Sequence, residues 1–157
     1  IYMSPEQTGL ITDPLLEGMA KAEGNKTLAD FDVAPYVRVA MGNDLQACRD
    51  AIKPELALYI GGMGARAKNF YNDYAKRLGY ADAAVQIQDE FLGGRRAEAA
   101  AAVPDALVDE LCLIGSADRI KDRLQAWKEA SDAQAVGTML LGGASMDAMQ
   151  VIAEAAA

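Results

Sequence analysis

The run Ala135-Val136-Gly137-Thr138-Met139-Leu140-Leu141 constrains the fold more than any other stretch. It is almost wholly apolar, the pattern of a strand buried on both faces. A second stretch, Phe31-Asp32-Val33-Ala34-Pro35-Tyr36-Val37-Arg38-Val39-Ala40-Met41, is rich in strand formers from Val33 onward. Between and around the two, apolar residues recur at helical spacing. Apolar strands separated by helices require parallel crossovers, and therefore an α/β fold.

The chain begins on Ile1-Tyr2-Met3, which reads as the tail of a further strand running into a helix. Ser4 is placed to cap that helix, with Pro5 in its first position and Gln7 completing a capping box. Pro14 predicts a kink, and Gly24-Asn25 a stop. Gly42-Asn43-Asp44 ends the strand and caps a helix carrying Leu45, Cys48, Ile52, Leu56 and Tyr59. Three glycines, Gly61, Gly62 and Gly64, then predict a break. Phe70, Tyr74 and Leu78 share one face of the next helix. Val85, Gln88 and Leu92 form a stripe on the one after, with Ile87 and Phe91 beside it. Gly93-Gly94 stops that helix. An alanine-rich helix follows, then a short one from Pro104-Asp105 to about Cys112. Leu113-Ile114-Gly115-Ser116 reads as a boundary. Ser116 caps a helix bearing Ile120, Leu124 and Trp127, and a last helix starts at Met146.

Two strands and one strand end are too few to close a sheet. An α/β barrel takes roughly 200 to 250 residues, and this chain has 157. We therefore expect residues 1–157 to be the later part of one barrel domain whose N-terminal half is absent. Such a chain made alone is expected to be inactive, and its open strand edges to drive association.

The net charge of -8 and the pI near 4.5 argue against nucleic acid as a partner, because phosphate binding needs a basic face. No apolar run has membrane-spanning length, so a cytoplasmic protein is expected. Cys48 and Cys112 sit in apolar helical patterns and read as core residues. With no histidine, the commonest general base and metal ligand is missing, and no metal is expected.

The densest mixture of backbone freedom, cations and aromatic rings is 59–74. Arg66, Lys68, Asn69 and Tyr71 are the binding candidates there, with Asn69 and Tyr71 expected to be exposed to a ligand. The glycines follow a helix rather than a strand, so this is no dinucleotide fingerprint. Gly142-Gly143-Ala144-Ser145 follows a strand and precedes a helix, where backbone N–H groups can meet an anion or simply turn the chain. Tyr36 and Arg38 share one face of their strand, opposite Val37 and Val39. If they point inward, the arginine must meet an anion; if outward, they line a helix interface.

The segments FDVAPYVRVAMGNDLQACRDAIKPELALYIGGMGARAKNFYNDYAKRLGY, VPDALVDELCLIGSADRIKDRLQAWKEA and AVGTMLLGG resemble the C-terminal half of the bacterial luciferase-like superfamily, and most closely its coenzyme F420-dependent oxidoreductases. The resemblance covers essentially the whole chain, and none of its motifs is a catalytic signature. It implies the C-terminal part of a TIM (β/α)8 barrel: the end of strand six at Ile1-Tyr2-Met3, strand seven over 31–41, strand eight over 135–141, and a helical insertion. It also implies hydride transfer between coenzyme F420 and a small organic substrate, or FMN-dependent monooxygenation in other branches. Arg66, Lys68, Asn69 and Tyr71, with Gly142 and Gly143, would then wall a cofactor or substrate pocket in a homodimer or larger homo-oligomer. The catalytic residues would belong to the N-terminal half. The rival reading is a non-catalytic α/β binding module.

Overall fold

The structure is a computed structural model that describes residues 2–156. The chain divides into two compact units, Ile1–Asn43 with Leu111–Ala157, and Asp44–Glu110.

The first unit contains a three-stranded parallel sheet in the order β2-β1-β3, so the α/β expectation holds. β1 (Tyr36–Met41) is central. Its second half pairs with β2 (Leu113–Gly115) and its first half with β3 (Leu140–Gly142). Helix α1 (Gly9–Lys21) precedes β1, α7 (Ala117–Asp132) follows β2, and α8 (Met146–Ala156) follows β3. The core gathers Val37, Val39 and Leu113 from the strands with Ile120, Leu124, Trp127 and Ile152 from the helices. Ser116 caps α7 by accepting from Arg119 N at 3.3 Å, as its position implies.

Several sequence expectations are corrected here. β2 is a strand, not a mere boundary: Leu113, Ile114 and Gly115 pair with Val39, Ala40 and Met41. β3 is shorter than 135–141, and Leu140 is exposed rather than buried on both sides. In the 135–139 portion, Thr138 Oγ1 donates to the Asp32 carboxylate at 2.8 Å, and a Cβ on Gly137 would strike that carboxylate. The segment still follows the residues before β1, with Gly137 N donating to Val33 O at 3.0 Å and Leu140 N to Pro35 O at 2.9 Å. Helix α1 starts at Gly9 rather than at Pro5. Ser4 and Gln7 thus precede the helix; the Ser4 hydroxyl donates to Glu6 at 3.3 Å, and Glu6 itself accepts from Arg123 Nη2 at 2.9 Å. Tyr2 and Met3 are buried but carry no strand pairing, and Ile1 lies outside the described residues.

The second unit is helical: α2 (Leu45–Ala57), α3 (Phe70–Arg77), α4 (Ala81–Leu92), α5 (Arg96–Ala101) and α6 (Asp105–Leu111), the last ending at the unit boundary. Asp44 caps α2 as expected, accepting from Ala47 N at 3.0 Å. α5 packs against both α2 and α4, and its alanines permit that approach; Ala99 is fully buried. The break predicted from Gly61, Gly62 and Gly64 falls just after the first two, over residues 63–69. Gly61 and Gly62 continue α2 as a π-helical turn, Leu58–Gly62. The buried face of α4 is Ala84, Ile87 and Gln88, whereas Val85 and Leu92 are exposed. Phe70 is likewise exposed, although Tyr74 and Leu78 on its stripe are buried.

Candidate functional site

Strand β1 alternates. Val37 and Val39 are buried against α7 and α8, so Tyr36 and Arg38 project from the opposite face of the sheet. The parallel register sets Leu140 beside Tyr36 and Gly142 beside Arg38. These four positions therefore share a face. Any Cβ on Gly142 would collide with the Tyr36 phenol oxygen. Gly143 has φ of 76°, and a Cβ there would lie 2.7 Å from Arg38 Nη1. The glycine pair is thus a thin wall that admits a phenol and a guanidinium. Tyr2 packs edge-on to Tyr36 with ring centroids 5.9 Å apart.

The chemistry of this face follows from Arg38. A guanidinium keeps its charge at every working pH and offers five donors in a planar fork. Nη1 donates to Tyr36 OH at 3.5 Å, a long bond that ties the two side chains loosely. The face is suited to an anionic or acceptor-rich ligand. Ser145, which follows the glycines, accepts from Ala148 N at 3.2 Å and so satisfies one N–H at the start of α8 itself.

The other candidates lie in the second unit. Asn69 is 2% exposed, which corrects the expected exposure. Its Oδ1 accepts from Tyr71 N at 3.0 Å and Asn72 N at 3.1 Å, capping α3, and its Nδ2 donates to Ile60 O at 2.9 Å. Asn72 Nδ2 donates to the same Ile60 carbonyl at 3.1 Å and to Ala84 O at 2.7 Å. The two amides satisfy backbone groups around the π-helical turn. Gly61 and Gly62 complete the arrangement by admitting Phe91, which a Cβ on either would strike. Tyr71 is half-buried, its ring 4.8 Å from that of Tyr59; burial, and then the neighbouring Tyr59, push its phenol pKa up. Arg66 is exposed and ion-paired with Asp89. Lys68 is exposed and makes no ion pair among the described residues.

The acidic pair Asp109-Glu110 is held structurally. Arg49 grips Asp109 through Nε at 2.9 Å and Nη2 at 2.6 Å, and Tyr80 OH donates to Glu110 at 2.9 Å. Burial and the Glu110 carboxylate push the Tyr80 phenol up to about 12. Among the described residues no cluster of histidine, cysteine or carboxylates could hold a metal, and no helix is long and apolar enough to cross a membrane.

The model of the family described as luciferase-like monooxygenase matches residues 5–134. The chain belongs to this family. This luciferase-like chain is 35% identical over 130 residues to a putative coenzyme F420-dependent oxidoreductase of Mycobacterium tuberculosis, covering 83% of the chain and 38% of the relative. Its fold is similar to that of the coenzyme F420-dependent tetrahydromethanopterin reductase of Methanopyrus kandleri, with TM-score 0.66 at 19% identity over 96% of the chain and 40% of the reductase. It therefore spans well under half the length of either protein.

Tyr36 and Arg38 are the residues that sequence reasoning left undecided. Two-residue alternation identified their shared face, and the docking of α7 and α8 on Val37 and Val39 settles which face it is. Gly142 and Gly143 lie on that face. Arg66, Lys68, Asn69 and Tyr71 belong to the other unit.

Proposed function

We propose that this chain is the C-terminal portion of a luciferase-like α/β barrel whose preceding polypeptide supplies the remaining strands, and that the whole protein is a coenzyme F420-dependent oxidoreductase. The 35% identity to a putative enzyme of that class supports the cofactor. The observation that carries the residue-level reading is the face of β1 and β3 turned away from the helices, where Arg38 and Tyr36 lie against Gly142 and Gly143.

A cationic, glycine-walled face fits an anionic cofactor or substrate. Arg38 would orient the ligand through its fork and Tyr36 would offer a hydroxyl, both seated against Gly142 and Gly143, where a side chain would displace them. Coenzyme F420, when bound, supplies hydride chemistry. Tyr71, with Lys68 and Arg66, is proposed as a wall of the substrate side in the second unit, and Asn69 as the residue that fixes the backbone around Tyr71. The acidic net charge and the two buried cysteines support a cytoplasmic protein acting on a small molecule, and we place it there as a homo-oligomer.

The test is a titration of the natural full-length polypeptide, wild type and Arg38→Met, with coenzyme F420. Loss of one charged hydrogen-bond donor set costs about 1.5–3 kcal/mol, or roughly 10- to 150-fold in affinity. Equal affinities would remove Arg38 from the cofactor site.

A further inference from the structure

We propose that Tyr2 is a positioning residue for the Tyr36–Arg38 face, a role that rests on the reading of that face as the coenzyme F420 site. Arg38 presents its charge as a planar fork, and a fork selects a ligand only when its plane is fixed. Its contact from Nη1 to Tyr36 OH is long, 3.5 Å, so packing must supply part of the constraint. The guanidinium rests on Gly143, where a Cβ would lie 2.7 Å from Nη1 and 3.0 Å from Cζ. The phenol end of Tyr36 rests on Gly142, where a Cβ would strike its oxygen.

The ring of Tyr36 is met by Tyr2, edge to face, with centroids 5.9 Å apart and planes at 61°. The two rings differ in freedom. Tyr2 is 3% exposed, and Met3 and Ser4 after it are fully buried, whereas Tyr36 and Arg38 are only half-buried. The buried ring is therefore the stop against which the half-buried one is set. Tyr36 is held at its tip by Gly142 and at its ring by Tyr2, and its hydroxyl in turn meets Arg38. Side chains fixed before a ligand arrives have less rotamer freedom to lose on binding, so this packing raises affinity. Tyr2 is shut off from solvent, and its effect reaches the ligand through Tyr36.

The experiment titrates coenzyme F420 into the natural full-length polypeptide and reads cofactor fluorescence. Tyr2→Met keeps an apolar side chain of similar length and removes the ring. It should weaken binding by roughly two- to tenfold. Tyr2→Phe keeps the ring and should bind as the wild type does. In a Tyr36→Leu background Tyr2→Met should change nothing further, because the ring through which it acts is gone. Equal weakening in both backgrounds overturns the proposal, since Tyr2 then acts on the fold at large. Equal weakening by Tyr2→Phe and Tyr2→Met overturns it too, because the ring is then not what matters. Tyr2→Leu is the second replacement if Tyr2→Met does not fold, and loss of the fold in both makes Tyr2 a core residue and overturns the positioning role. Unchanged affinity in Tyr2→Met beside weaker binding in Arg38→Met overturns the role of Tyr2 and leaves the face standing. Unchanged affinity in Arg38→Met as well removes the face itself.

Discussion

The guanidinium of Arg38 lies against Gly143, with Nη1 2.7 Å from where a Cβ would stand on that glycine. Gly143 also has φ of 76°, which disfavours any L side chain. Gly143→Val therefore meets strain and a displaced arginine together. The expected loss is about 1–3 kcal/mol of stability by urea denaturation. Gly18→Ala is the control, because nothing lies within 4 Å of the added methyl. It should gain roughly 0.5–1 kcal/mol, as expected for a glycine inside a helix.

Ile60 O accepts from Asn69 at 2.9 Å and Asn72 at 3.1 Å, and this couples the two amides. Asn72→Ala leaves the Ala84 carbonyl without that donor and weakens the π-helical turn. It should cost about 1–3 kcal/mol. Asn69→Ala also loses a helix cap and should cost about 0.5–2 kcal/mol or more. In a double-mutant cycle by thermal denaturation, the two losses should fail to add by about 0.5 kcal/mol or more.

Phe91 occupies the space that Cβ atoms on Gly61 and Gly62 would need. Gly62→Ala should overpack this contact and cost about 1–3 kcal/mol. Pairing it with Phe91→Leu should restore part of the loss, and a cycle with no recovery would contradict the packing account.

The Tyr80 phenol, raised to about 12 by burial and by Glu110, gives a pH signature. Its proton is held more tightly folded than unfolded, where a tyrosine titrates near 10. The unfolded chain loses its proton first as pH rises. The stabilisation is therefore complete below about pH 10 and is lost as pH climbs toward the folded value. Spectrophotometric titrations of wild type and Tyr80→Phe should differ by one late-ionising phenol.

Much of this fold is legible in the sequence wherever the determinant is local. Asp44 and Ser116 cap the helices their positions suggest, and Ile120, Leu124 and Trp127 form the buried stripe their spacing implies. β2 was not legible, because three residues at the end of a helix carry too little periodicity to mark a strand. The stop at Gly61 and Gly62 was legible to within a turn, but the π-helical turn was not, because its packing partner Phe91 lies thirty residues away in sequence. Asn69 looked like a ligand contact because its real partners, Tyr59 and Ile60, are backbone carbonyls. The direction of Arg38 waited on the helices that cover Val37 and Val39.

Binding of coenzyme F420 tests the central claim most directly. The natural full-length polypeptide is titrated against F420 and, in parallel, against FMN, with cofactor absorbance and fluorescence as the readout. The account predicts saturable quenching of F420 at a defined stoichiometry and a much weaker response to FMN. No saturable change with F420, or saturation by FMN alone, would contradict it.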